Sequence, residues 1–311
     1  MSFRFLRFLY HFAVYTIGIL VLTAAVLVTL IRLVLPDIGI YRSEVEAWVS
    51  HYMGYPVVIR SLNATWYGWV PHLHLTNVDL LNKAGTRPIT HFQSAEIRID
   101  PIATLMARRF VPRQLTVSGF HLTVARLESG AILVEGINIA DTKGGADPGN
   151  ELAEWLFSQD TIEIRDAAVE WIDSLHEQEP ILLTNVALTL RTDDDRIQLE
   201  GSTALPALYG NRMDFAFDAT GDLMTSQWGG ELYLRASDIN PDHWYRKYRP
   251  LNVNIAGGSA DIRVWSRWEG AKLISVQGEL QYQDFAALIG DASLRIEELG
   301  YRFIAERTPQ G

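Results

Sequence analysis

The sequence predicts a mainly β fold carried behind a single N-terminal transmembrane helix, and three observations carry that expectation. An uncharged apolar run stands near the N-terminus, an apolar/polar alternation of period two begins after Pro56, and Gly/Asp/Pro-rich clusters break that alternation into short runs. The 311 residues are 48% hydrophobic and 21% charged, which excludes a disordered chain, a collagen-like repeat and a polytopic transporter. The net charge of −10 excludes an electrostatic grip on nucleic acid, and the absence of cysteine excludes disulfides, thiol catalysis and Cys-ligated zinc.

From Phe8 to Ile31 there are 24 residues without Asp, Glu, Lys or Arg. As a helix they extend about 36 Å, enough to cross a hydrocarbon core of about 30 Å. Arg4 and Arg7 are the only charges before the run, so the positive-inside rule predicts an N-in orientation. Residues 1–7 then form a cytoplasmic tail, 8–35 the membrane helix, and everything beyond lies across the membrane. The run is too long for a signal-peptide core, and no polar cleavage region follows it.

Ser43 and Glu46 have the spacing of a capping box and predict a short helix ending near Met53, with Gly54 as its left-handed stop. Val45, Trp48, Val49 and Tyr52 give it one apolar face. The alternation that follows divides into a stretch at 36–150 and a continuation at 151–311, expected to be truncated at its end. It reads as an antiparallel meander with one wet and one dry face. Gly119 is expected to reset the register between Leu115/Val117 and Leu122/Val124. Helical interruptions are expected around Ile102–Arg109 and Asn150–Ser158, and a turn at Asn240-Pro241.

No pattern argues for catalysis, and no cofactor or metal is expected. His72 and His74 share a strand face but lack a third ligand in the local sequence, and Asp193-Asp194-Asp195 reads as a solvated hairpin tip. Trp66, Trp69, Trp171, Trp265 and Trp268 suit positions that are half apolar and half wet.

One stretch is more specific. Gly54, Pro56-Val57, Ile59, Ser61-Leu62, Ala64, Trp66, Gly68-Trp69, Pro71, Leu73, Leu75, Asn77-Val78 and Leu80-Leu81 follow Leu35-Pro36 and the short helix in order. This resembles the opening of the YhdP branch of AsmA-like envelope proteins. The resemblance implies an inner-membrane anchor with the bulk of the chain in the periplasm. It also implies a long, repeating, chorein-like β-groove that carries phospholipid between inner and outer membranes and supports outer-membrane integrity. The implied partners are phospholipid, the inner membrane and membrane proteins at the ends of the conduit. An open groove would be lined by the dry face: Ile97, Ile99, Leu115, Val117, Ile162, Ile164, Leu188, Leu190, Phe215, Phe217, Leu232 and Leu234. Two other readings stay open, a TamB-like assembly factor for outer-membrane proteins and a membrane-anchored envelope enzyme.

Overall fold

The computed structural model describes residues 11–12, 14–23, 25–26, 29, 39–68, 70–107, 111–130, 132–134, 137–138, 159–176, 179–193, 195–223, 227–248, 254–289 and 292–307. The described residues between 11 and 29 are helical and bear exposed apolar side chains such as Phe12, Ile17, Leu20 and Leu22. Among the described residues no helix is long and apolar enough to cross a membrane. Arg4, Arg7 and much of the expected 8–35 span lie outside the described residues, as does the expected Asn150–Ser158 helix.

The alternating segments join one sheet. In chain order its strands are β1 (Val57–Tyr67), β2 (Val70–Leu81), β3 (Pro88–Ile99), β4 (Pro112–Ser118), β5 (His121–Arg126), β6 (Ile132–Val134) and β7 (Ile137–Asn138). They continue as β8 (Thr161–Asp173), β9 (Ile181–Asp193), β10 (Arg196–Ala204), β11 (Arg212–Asp222), β12 (Gln227–Ile239), β13 (Asn254–Glu269), β14 (Lys272–Ile289) and β15 (Ala292–Glu306). The spatial order is β1-β2-β3-β4-β8 and then sequential to β15, so β1 and β15 are the two ends of an open sheet.

The sheet is mixed, which corrects the expectation of a wholly antiparallel meander. β4 pairs with the first half of β8 and β5 with the second half, both in parallel. The chain between β5 and β8 is a long crossover through β6 and β7, and such a connection returns a strand in the same direction where a tight hairpin cannot. Gly119 separates β4 from β5 at φ +66°, as its sequence position anticipated.

Gly119 is one of a row. Asn77 in β2, Asp166 in β8, Asn185 in β9 and Asp238 in β12 have φ of 50–52°. Asn and Asp are the side chains best suited to that left-handed conformation after glycine. Asn77, Gly119 and Asp166 lie at one level of the sheet, and the row then steps along the strands to Asn185, again to Asp238, and again to Gly258 and Asp284 in β13 and β14. Across this crease the inward spacing changes from two to three. Ile59 and Leu62, Leu75 and Val78, Val117 and Phe120, Ile164 and Ala167, and Ala236 and Ile239 each pack within one hydrophobic cluster. At each of these pairs except Ile59/Leu62, where β1 has no left-handed residue, one such residue restores to the dry face what simple alternation would turn outward.

Beyond residue 41 the described residues add three α-helices to the strands: α1 (Arg42–Met53), α2 (Pro101–Ala107) and α3 (Pro241–Tyr248). α1 ends at Gly54 in the left-handed conformation, as expected, but the Ser43/Glu46 capping box is not formed. The N-cap is Tyr41, without a side-chain cap, and Ser43 Oγ hydrogen-bonds Glu44. Glu46 instead turns to β1, where its Oε1 accepts the Ile59 N–H at 2.7 Å, while Ser50 Oγ accepts the Val57 N–H at 2.9 Å. The carboxylate serves the strand edge, where the N–H of buried Ile59 would otherwise lack an acceptor. α2 confirms the expected interruption and is capped by Asp100 Oδ1, which accepts from the N–H groups of Ile102 and Ala103. The turn expected at Asn240-Pro241 opens α3: Pro241 holds the first helical position and the Asn240 carbonyl accepts from Trp244 N.

Candidate functional site

Directly paired residues in neighbouring strands share a face, so the register fixes which side chains line up. Leu73, Ile97, Leu115, Ile162, Leu190, Leu199, Phe217 and Leu232 form one continuous row across eight strands. Leu75, Ala95, Val117, Ile164, Leu188, Gly201, Phe215 and Leu234 form a second row beside it. Eleven of the twelve residues expected on the dry face fall in these two rows. Ile99, the twelfth, pairs with Pro112 beyond a register shift.

The rows are not uniform along their length. At the β1 end they are a closed core: Leu73, Leu75 and Ile97 are buried, with Ile99, Leu115 and the α1 residues Val45 and Val49 packed against them. The structure thus places Ile97, Ile99 and Leu115 in packed interior and not on an open face. Ile162 is still buried at 7% exposure, and Ile164 and Leu188 pack against the buried Phe120, Ala167 and Val186, whereas Leu190, Phe215, Phe217, Leu232 and Leu234 are half-buried outside the buried clusters. At β15 the second row ends on Phe303, 40% exposed. A Cβ built on Gly201 would come within 2.5 Å of both Leu188 and Phe215, so these side chains close over the glycine and smooth the row.

Two borders flank the half-buried strip. Toward the hairpin tips, Phe217, Trp228 and Trp268 form an aromatic rail, with ring centroids 5.8 and 6.1 Å apart. On the other flank lies a packed ledge made of Ile181, Leu205, Tyr209, Ala236, Ile239, Ala260 and Tyr282. α3 locks it from above: Trp244 Nε1 donates to the Tyr209 carbonyl at 2.8 Å, and the two rings meet edge-on. The Tyr282 hydroxyl donates to the Gly257 carbonyl, and burial, with the Asp242 charge, pushes its phenol up to about 12.

The opposite face is polar. His72, buried, hydrogen-bonds Glu96 at 2.7 Å, and His74 approaches the other carboxylate oxygen at 4.0 Å. The sequence could not supply Glu96 as a partner because it comes from β3. Burial works to raise the Glu96 pKa, but the His72 hydrogen bond, the charges of His74 and His72, and Arg98 hold it below the usual value. Among the described residues no group of His, Asp and Glu is arranged to hold a metal. A shallow concavity of about 570 Å³ also opens on this face beside Tyr233 and Trp265, where Arg267 pairs with Glu231 and Arg196 with Asp218. Of the tryptophans singled out in the sequence, Trp66, Trp171 and Trp268 point to the apolar face and Trp265 to the polar one. Trp69 lies outside the described residues.

Residues 1–311 match the family of the YhdP protein over their whole length. The chain belongs to the YhdP family. A similar protein is the intermembrane phospholipid transporter YhdP of Escherichia coli (strain K12), 24% identical over 254 residues, which cover 79% of this chain. The aligned region is 18% of that relative, so the chain spans less than a fifth of its length. No solved structure matches the chain. Family membership and the open apolar strip thus meet in one molecule.

Proposed function

We propose that this chain is the N-terminal portion of an inner-membrane-anchored periplasmic conduit, and that its apolar strip carries phospholipid acyl chains between the inner and outer membranes. The observation that carries the reading is the pair of apolar rows left half-exposed through Leu199, Phe215, Phe217, Leu232 and Leu234, with no second layer over them among the described residues. Such a face must be filled by something apolar or remain costly in water. Each buried CH₂ contributes roughly 0.8 kcal/mol, so a 16-carbon chain gains on the order of 10 kcal/mol by lying on the strip instead of in water.

The strip does not make the journey downhill; it removes the barrier between two membranes. Twelve strands in sequence at about 4.8 Å span roughly 50 Å, a useful part of the distance between two bilayers. The helix at 8–35 would anchor the chain with its N-terminus in the cytoplasm, held by Arg4 and Arg7. No catalytic step, metal or nucleotide enters this account.

Purification in mild detergent followed by organic extraction and lipid mass spectrometry tests the proposal. Phospholipid in stoichiometric amount supports it. A chain that returns no lipid above the level of an unrelated membrane protein of equal hydrophobicity contradicts it.

A further inference from the structure

The sequence between β3 and β4 stands apart from the rest of this acidic chain. From Pro101 to Arg113 it carries three arginines and no Asp or Glu, while the whole chain has a net charge of −10. Within it α2 is tied down by side-chain hydrogen bonds. Asp100 Oδ1 accepts from the Ile102 and Ala103 N–H groups, and Thr104 Oγ1 accepts from Val111 N. Ile102 and Met106, one turn apart and so on one face, are left 71% and 81% exposed. Arg113, the second residue of β4, is exposed as well.

Topology puts this segment at the end of the sheet from which the N-terminal helix arrives. Arg98, near the end of β3, pairs with His72, which pairs with Thr65. α2 therefore shares a strand end with the β1–β2 turn at Gly68, where Tyr67 is exposed. α1 runs along β1 in the opposite direction: Arg42 reaches the Arg60 carbonyl, Glu46 the Ile59 N–H and Ser50 the Val57 N–H. Its first turn, preceded by the exposed Ile40, is thus its end nearer Tyr67, and the apolar helix described among residues 11–29 comes before it.

We infer that α2 and the β1–β2 turn rest on an anionic bilayer surface, with Ile102 and Met106 inserted among the headgroups and Arg113 drawn to their phosphates. The inference rests on the anchor of the conduit reading and adds the surface by which the sheet sits on that membrane.

A single exposed isoleucine or methionine is ordinary. Here two share a face, in a basic stretch, at the strand end tethered to an apolar helix. A lipid surface fits all of this: its interface takes apolar side chains to a depth of about 5–10 Å, its anionic headgroups attract arginine, and tyrosine is favoured at that level. The tether favours a bilayer over a protein groove, because the chain itself holds the bilayer beside this end and raises its effective concentration there.

Because the chain has no cysteine, a fluorophore on one introduced cysteine reports without background. The full chain, labelled at Met106→Cys, Leu208→Cys or Ile17→Cys, is reconstituted into vesicles of phosphatidylethanolamine and phosphatidylglycerol. Spin-labelled lipid quenches at headgroup depth for 106 and 208 and at acyl depth for 17. Leu208, 61% exposed in the β10–β11 loop at the opposite strand ends, is the control. Emission at 106 should fall by about half and that at 208 should not change, because only α2 reaches the depth of the quencher. Replacing phosphatidylglycerol with phosphatidylcholine should weaken the quenching at 106, and equal quenching in the two lipids would overturn the role given to charge. Quenching at 17 without any at 106 would overturn the inference and leave the anchor intact. Shielding of 106 from aqueous iodide without quenching by lipid would also overturn it, since a protein or a second copy would then cover α2. No quenching at 17 would overturn the anchor itself.

Discussion

The Glu46 carboxylate accepts the backbone N–H of Ile59 at 2.7 Å, joining the middle of α1 to the free edge of β1. With Ser50 on Val57 and Arg42 on the Arg60 carbonyl, it covers the start of an edge that would otherwise be open to another strand. Glu46→Ala should destabilise the protein by about 1–3 kcal/mol, because Ile59 is buried and its N–H would lose its acceptor. Glu46→Gln, which keeps an acceptor oxygen, should cost less. Ser43→Ala should stay within about 0.5 kcal/mol, since Ser43 hydrogen-bonds Glu44 in the exposed first turn. Urea unfolding of the three variants decides the matter: equal losses for Ser43→Ala and Glu46→Ala would restore the capping box.

The crease gives a second expectation. Asn77 is exposed and sits at φ 52° in mid-strand. Asn77→Gly should be neutral within about 0.5 kcal/mol, while Asn77→Val should cost about 1–2 kcal/mol, because a β-branched residue resists the left-handed region. If valine is tolerated as well as glycine in denaturant melts, the crease is not an intrinsic property of that residue.

Much of this was legible beforehand. The two rows follow from residues two apart, such as Ile162/Ile164 and Leu232/Leu234, because a strand's period is independent of its partners. The crease was legible only at Gly119, since an Asn or Asp in a strand is as readily a side chain facing water as the mark of a left-handed backbone. Strand direction at β8 depends on how residues 127–158 cross over, which no local pattern encodes. Glu46 was assigned to the wrong backbone for a related reason: its true partner lies 13 residues away on another element. The closure of the strip by Val45, Val49 and Trp244 is likewise a tertiary fact, invisible to periodicity.

Acid stability should report the polar-face cluster. Burial pulls the Glu96 carboxyl upward, but the hydrogen bond from His72 and the nearby positive charges outweigh it and hold the folded pKa below 4.5. A depressed carboxylate contributes stability that is fully present above its unfolded value and lost as pH falls through the folded one. The parent protein should therefore lose stability below about pH 4.5 more steeply than Glu96→Gln. Parallel curves for the two proteins across that range would remove Glu96 from the account.

The proposed anchor predicts an active periplasmic reporter when alkaline phosphatase is fused after Gly311. Moving Arg4 and Arg7 to glutamate should reduce that activity by weakening the N-in bias. Reporter activity confined to the cytoplasm in the parent fusion would contradict the topology.

One charge placed on either side of the strip's boundary separates open face from core. Leu75→Asp, at a site 3% exposed, should cost several kcal/mol and unfold the domain. Leu234→Asp, half-buried and outside the buried clusters, should leave a cooperative melt, because its carboxylate reaches water. Unfolding by both would argue for a closed core throughout.

The central claim is tested most directly at Phe215 and its neighbour Asp214. Both are half-buried and adjacent on β11, but Phe215 belongs to the second apolar row while Asp214 pairs with Arg212 on the polar face. A photo-crosslinking residue is placed at each in turn, cells are irradiated, and the protein is analysed for covalently attached phospholipid. The account predicts phospholipid adducts at 215 and none above background at 214. Equal adducts at the two positions, or none at 215, would contradict it.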